Sequence, residues 1–175
     1  MKKPTIPAVL LLALTLGACA TAQKINYQNP NPSPTDANLS FTSSFETHTY
    51  FSVNEQPKEV CDDFKSIGYV LNADSIFLYD KPNKVIKLKM PTGKTIAVRG
   101  YHQYSDPGEK SSCFPPAQLF TPEANQSYEI NMGFSPMKGT SNGVCFLMVN
   151  KVLGDGTKAP VNTEVLPYCG NKPKG

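Results

Sequence analysis

Apolar and polar positions alternate with a period of two in several short runs along the chain, the mark of strands with one buried face. The plainest run is 127–134, where Tyr128, Ile130, Met132 and Phe134 alternate with Ser127, Glu129, Asn131 and Gly133. Over 84–90, Ile86, Leu88 and Met90 share a face opposite Lys87 and Lys89. Over 95–102, Ile96 and Val98 face one way and Arg99 the other, and the Pro91-Thr92-Gly93-Lys94 turn between the two runs predicts a hairpin. Tyr50–Val53, Ser75–Tyr79, Gln118–Phe120 and Val161–Leu166 read as further short strands. Val144–Val149 is apolar throughout, which predicts a strand buried on both faces. One segment has a different period: Val60, Phe64 and Ile67 fall at helical spacing, with Gly68 placed to end a helix. A short helix near 57–67 is therefore expected. Seven or eight strands, with turns every ten residues or so, predict an antiparallel β-sandwich of immunoglobulin-like or transthyretin-like kind. A small closed barrel is the alternative.

The flanks of the strand region are of other composition. Residues 20–45 are rich in Asn, Pro, Ser and Thr, and Asn29-Pro30-Asn31-Pro32-Ser33-Pro34 excludes a helix or an inner strand, because proline lacks an N–H and restricts its predecessor. This stretch reads as a tether with an extended bias, although Leu39–Phe45 can already begin the first strand. The expected layout is a signal peptide at 1–18, a linker at 19–44, a sandwich at 45–169 and a tail at 170–175.

The first residues carry chemistry of their own. Met1-Lys2-Lys3 is followed by an apolar run from Ile6 to Leu16, shorter than the roughly 20 residues that a spanning helix needs. The run ends in Leu16-Gly17-Ala18-Cys19. This segment resembles the signal peptide of bacterial lipoproteins, and the resemblance covers residues 1–19. It implies cleavage before Cys19, diacylation of its sulfur (palmitate among the acyl chains) and acylation of the new amine. It also implies the outer membrane, since enteric lipoproteins held in the inner membrane tend to carry Asp where this chain has Ala20.

Five cysteines are an odd number for an exported chain. With Cys19 given to lipid, Cys61, Cys113, Cys145 and Cys169 are an even set, and an oxidising compartment favours two disulfides. Three pairings are possible, of which Cys113–Cys145 with Cys61–Cys169 is preferred. No CxxC spacing or nearby His supports zinc. Charge follows the same cut. Seventeen Lys and Arg stand against fourteen Asp and Glu, but Lys2 and Lys3 leave with the signal, so the mature chain has fifteen against fourteen, about +1. A nearly neutral chain offers no case for a nucleic-acid partner.

Candidate catalytic chemistry is sparse. His48 and His102 lie in no HExxH, no serine lies in GxSxG, and no cofactor motif is present. His102 can pair with a carboxylate across the sheet, but a surface site at a strand end is the simpler expectation. Glu59, Asp62 and Asp63 make an acidic cluster on the expected helix, read as a solvated face. Gly154-Asp155-Gly156 reads as a turn. Lys84, Lys87, Lys89 and Lys94 make the expected hairpin basic, suited to anionic headgroups or an acidic partner, or simply to keeping a strand edge soluble. Tyr101, Tyr104 and Phe114-Pro115-Pro116 flank an expected polar loop at 103–112 and are candidates for a sticky surface.

The sequence thus predicts a non-catalytic envelope lipoprotein, anchored at Cys19, whose sandwich binds another envelope component and takes no cofactor or metal. An inhibitor of a periplasmic enzyme such as lysozyme, inserting the 103–112 loop, is the alternative. A hydrolase with an unrecognised site is the third class.

Overall fold

Two β-sheets face each other across an apolar core in the computed structural model, which describes residues 27–57, 64–73, 82–106, 109–136 and 143–166. The strands are β1 Ala37–Ser43, β2 Thr49–Asn54, β3 Lys65–Val70, β4 Ile86–Met90, β5 Ile96–Asp106, β6 Glu109–Cys113, β7 Gln118–Phe120, β8 Ser127–Pro136, β9 Gly143–Val152, β10 Lys158–Pro160 and β11 Glu164–Val165. One sheet has the order β10-β9-β8-β1-β4 and the other β11-β7-β5-β2-β3, with β6 paired to the outer half of β5. Neighbours are antiparallel except β1 and β8, which run parallel. The fold is the expected β-sandwich.

The alternating runs place their apolar members inside. Tyr128, Ile130 and Met132 of β8 are buried, as are Leu39 and Phe41 of β1 and Phe51 and Val53 of β2. Phe41 meets Phe51 across the sheets with ring centroids 5.3 Å apart, and Phe120 meets Tyr128 at the same distance. Each such side chain contributes about 1.5–3 kcal/mol by leaving water. Cys113 and Cys145 are disulfide-bonded, with Cα atoms 5.7 Å apart, and so tie β6 in one sheet to β9 in the other. Cys61 and Cys169 lie outside the described residues.

Several expectations are corrected. The folded part begins well before residue 45: β1 starts at Ala37, sits between β8 and β4, and Tyr27 is buried in the core. The Asn-Pro stretch is short of N–H donors but still anchored, since Asp36 accepts hydrogen bonds from Asn29 Nδ2 at 2.7 Å and from the Ser33 N–H at 2.8 Å. The helix near 57–67 is replaced at its end by β3, where Phe51 faces Gly68 and Ser52 faces Ser66, so Ile67 is the extra residue of a bulge. Gly68 takes φ +118 there, a conformation open to glycine. Residues 58–63, with Glu59, Asp62 and Asp63, lie outside the described residues, as do the expected strand 75–79 and the tail 170–175.

The expected hairpin of 84–102 is also absent. β4 pairs with β1 and β5 with β2, so the Pro91–Lys94 turn carries the chain from one sheet to the other. Alternation specifies which face of a strand is buried, not which strand lies beside it. Within β9, Leu147 and Val149 are buried while Val144 and Met148 are about half exposed, so this strand is not covered on both faces. The expected loop 103–112 is a two-stranded arm, in which Gln103 faces Ser112 and Asp106 faces Glu109.

Candidate functional site: an aromatic groove on one sheet

The outer face of the β3-β2-β5 sheet is built by the same alternation that fills the core. Phe51 and Val53 turn inward from β2, so Tyr50 and Ser52 turn outward. On β5 Val98 turns inward, and Arg99 and Tyr101 outward. Register then decides the neighbours: Tyr50 stands between Tyr69 and Tyr101, and Ser52 between Ser66 and Arg99. The rings form a row. Phe114 stacks on Tyr101 at 4.4 Å, Tyr101 on Tyr50 at 6.0 Å, and Tyr50 meets Tyr69 edge-on at 5.7 Å. His48 closes the row, edge-on to Tyr69 at 4.6 Å. Cross-strand aromatic pairs of this kind add about 0.5–1.5 kcal/mol each beyond the area they bury.

Beside the row runs a groove of about 590 Å³, within the range of small-ligand and peptide sites. Small residues, Ser52 and Ser66, lie along it, while Phe64, Tyr50, Tyr101 and Phe114 wall it and Pro115, Pro116 and Leu166 close one side. The Arg99 guanidinium lies 4.2 Å above the Phe64 ring, and its Nε donates to Ser52 Oγ at 3.3 Å. The Tyr101 hydroxyl donates to Gln103 Oε1. Tyr50 and Phe114 remain 42% and 47% exposed. A contiguous exposed aromatic patch with polar groups at its margin is the composition of a binding surface.

Of the residues singled out from sequence, the structure brings Tyr101, Phe114, Pro115 and Pro116 to this groove and His48 to the end of its ring row. Tyr104 has no described side chain. His102 is corrected: it is buried, not at the surface, with its ring stacked 3.8 Å from Phe45 and Nδ1 3.1 Å from the His48 carbonyl, to which it donates as the Nδ1–H tautomer. Burial pushes its pKa below the ordinary 6.5, against a weaker upward pull from that carbonyl. Asp155 serves its turn, accepting from the Thr157 N–H at 2.9 Å and hydroxyl at 2.7 Å, and these bonds hold its carboxyl below the usual range. Among the described residues no cluster of three His, Cys, Asp or Glu is placed to hold a metal. Tyr50, Tyr69, Arg99 and Phe64 were not anticipated; the adjacent aromatics Tyr50 and Phe51, which must face opposite ways on one strand, are the signal that points to them. No known protein-family model and no curated protein matches the chain.

Proposed function

We propose that this protein is a non-catalytic envelope lipoprotein, held in the outer membrane by acylated Cys19, whose disulfide-bonded sandwich binds another envelope component through the aromatic groove. The observation that carries the reading is the exposed row Phe114-Tyr101-Tyr50 beside a groove walled by rings. Folding gains little from leaving such rings half in water, whereas a partner covering them gains their burial. The resemblance of Leu16-Gly17-Ala18-Cys19 to the end of a lipoprotein signal peptide supports the anchor and the compartment.

Site-specific photo-crosslinking in living cells tests the groove. A photoreactive phenylalanine analogue at position 114 is expected to give a discrete adduct that disappears when Tyr101→Ala is added. The same analogue at Asn38, an exposed position of β1 in the other sheet, is expected to give none. An identical adduct from both positions, or no adduct from position 114, overturns the groove assignment. Labelled palmitate tests the anchor separately, and equal labelling of wild type and Cys19→Ala would sink it.

One observation favours the inhibitor reading as a second. Residues 103–106 of β5 pair with β6 alone, so they form a two-stranded arm of the kind that can enter a target's cleft. Lysozyme activity unchanged by micromolar amounts of the soluble chain would dispose of it.

A further inference from the structure

The chain enters the sandwich at a definite place. The Tyr27 N–H donates to the Ser66 carbonyl at 3.1 Å, on the open edge of β3, and the Tyr27 side chain is buried in the core. Its phenol oxygen and Glu55 Oε1 are both cut off from water without a partner of ordinary geometry. Burial, together with the Glu55 carboxylate beside it, pushes the phenol's pKa well above the usual value. Tyr27 is therefore fixed, and only residues 20–26 separate it from Cys19. Eight peptide steps reach at most about 29 Å when extended and average roughly 15 Å as a coil. If Cys19 sits at the bilayer surface, the edge that receives Tyr27 is the part of the domain held nearest to it.

That edge is basic. Among the described residues β3 and β4 are the last strands of their sheets on the same side of the sandwich, and a bridge between Leu71 and Asn83 joins the segment leaving β3 to the one entering β4. Lys87 and Lys89 project from β4 into solvent, Lys65 from the start of β3, and Lys94 from the turn that follows β4. Among the described residues two neighbouring carboxylates are turned inward, since Asp36 is buried and held by Asn29 and Ser33 and Glu55 has a buried oxygen beside Tyr27, while Glu46 is exposed near the segment that leaves β3. These exposed lysines stand on a chain whose mature net charge is only about +1, from fifteen basic and fourteen acidic residues. Lys24 adds a further charge to the tether itself.

We propose that the β3/β4 edge docks on anionic phospholipid headgroups of the bilayer that holds the anchor, with Lys65, Lys87 and Lys89 as its contacts. The proposal deepens the lipoprotein reading and rests on it for the position of Cys19. A lipid tether makes a weak electrostatic contact sufficient, because the short linker keeps the edge at high effective concentration beside the surface. The attraction acts within a Debye length of about 8 Å at physiological salt, so the domain lies against the membrane in one orientation.

Vesicle flotation with the mature chain carrying Cys19→Ser tests the surface without the acyl chains. Binding is expected to vesicles of phosphatidylcholine mixed with phosphatidylglycerol, not to phosphatidylcholine alone, and to weaken as salt is raised. Lys87→Gln with Lys89→Gln should lower the partition coefficient about thirtyfold, as two lysines near an anionic surface imply. Asn162→Glu with Val165→Glu removes the same net charge at the opposite edge and should change it little. Both variants alter exposed side chains, and their thermal midpoints report whether they fold. Equal binding to both vesicle types, or equal losses from the two variants, overturns the proposal. Palmitate labelling reads the anchor independently: labelled protein whose unacylated form ignores anionic vesicles refutes the docking edge and leaves the anchor standing, whereas vesicle binding without label supports the edge and removes the anchor.

Discussion

Replacing Cys113 and Cys145 together by Ala removes the covalent link between β6 and β9. The two residues are 32 apart in sequence. On the chain-entropy model, closing a loop of that length in the denatured chain stabilises the native state by about 3.7 kcal/mol at 25 °C. At roughly 2–4 °C per kcal/mol for a chain of this size, the thermal midpoint should fall by about 7–15 °C. The double variant is the right perturbation, because a reducing agent would also act on any bond made by Cys61 or Cys169. The chain has no Trp, so urea unfolding followed by circular dichroism is the suitable assay. The midpoint should fall, and the slope should rise as the denatured chain expands. A loss below about 1 kcal/mol with an unchanged slope would refute the reasoning, since the denatured ensemble would then be no freer without the bond.

Three further outcomes are expected. Phe41→Ala, at a fully buried ring that meets Phe51, should cost about 3–5 kcal/mol by leaving a cavity between the sheets, read in the same urea experiment. His102 is held below its ordinary pKa, so below about pH 6.5 the unfolded chain binds the proton more readily. Stability is therefore complete above that pH and falls as pH drops toward the native-state value. Melting of wild type and His102→Phe at about pH 7.5 and about pH 5 should show the larger acid loss in wild type, and equal losses would refute the assignment. A Cβ on Gly100 would stand 2.5 Å from Met132 Sδ, the flexible end of a side chain. Gly100→Val should therefore cost about 1–3 kcal/mol by overpacking, and Gly100→Ala clearly less.

The candidate groove was only partly legible beforehand. Tyr101 and Phe114-Pro115-Pro116 are conspicuous as aromatic and proline residues around a polar stretch, and they do line it. Tyr50, Tyr69 and Arg99 are ordinary outward positions of separate strands, and nothing local says that they share a face. The lysines of 84–94 were legible as a basic cluster, but the hairpin drawn around them was not formed. The place of Lys87 and Lys89 at a sheet edge depends on β4 joining β1. His102 lies inward because it shares the face of Ile96 and Val98 on β5, and the Phe45 ring stacked on it covers a polar side chain that the residue type alone assigns to the surface.

By itself the sequence determined the strands of β2, β4, β5 and β8 and the buried face of the alternating ones, hence a two-layer β fold, because alternation must put one face of each strand against another layer. It also determined that four cysteines remain to pair once Cys19 is set aside. The tertiary structure decided which strands are neighbours, that Tyr27 is locked into the core, and that five rings from four separate segments form one row. Those features come from contacts between residues far apart in the chain, which register and sheet order create and which a local pattern of apolar and polar residues does not encode.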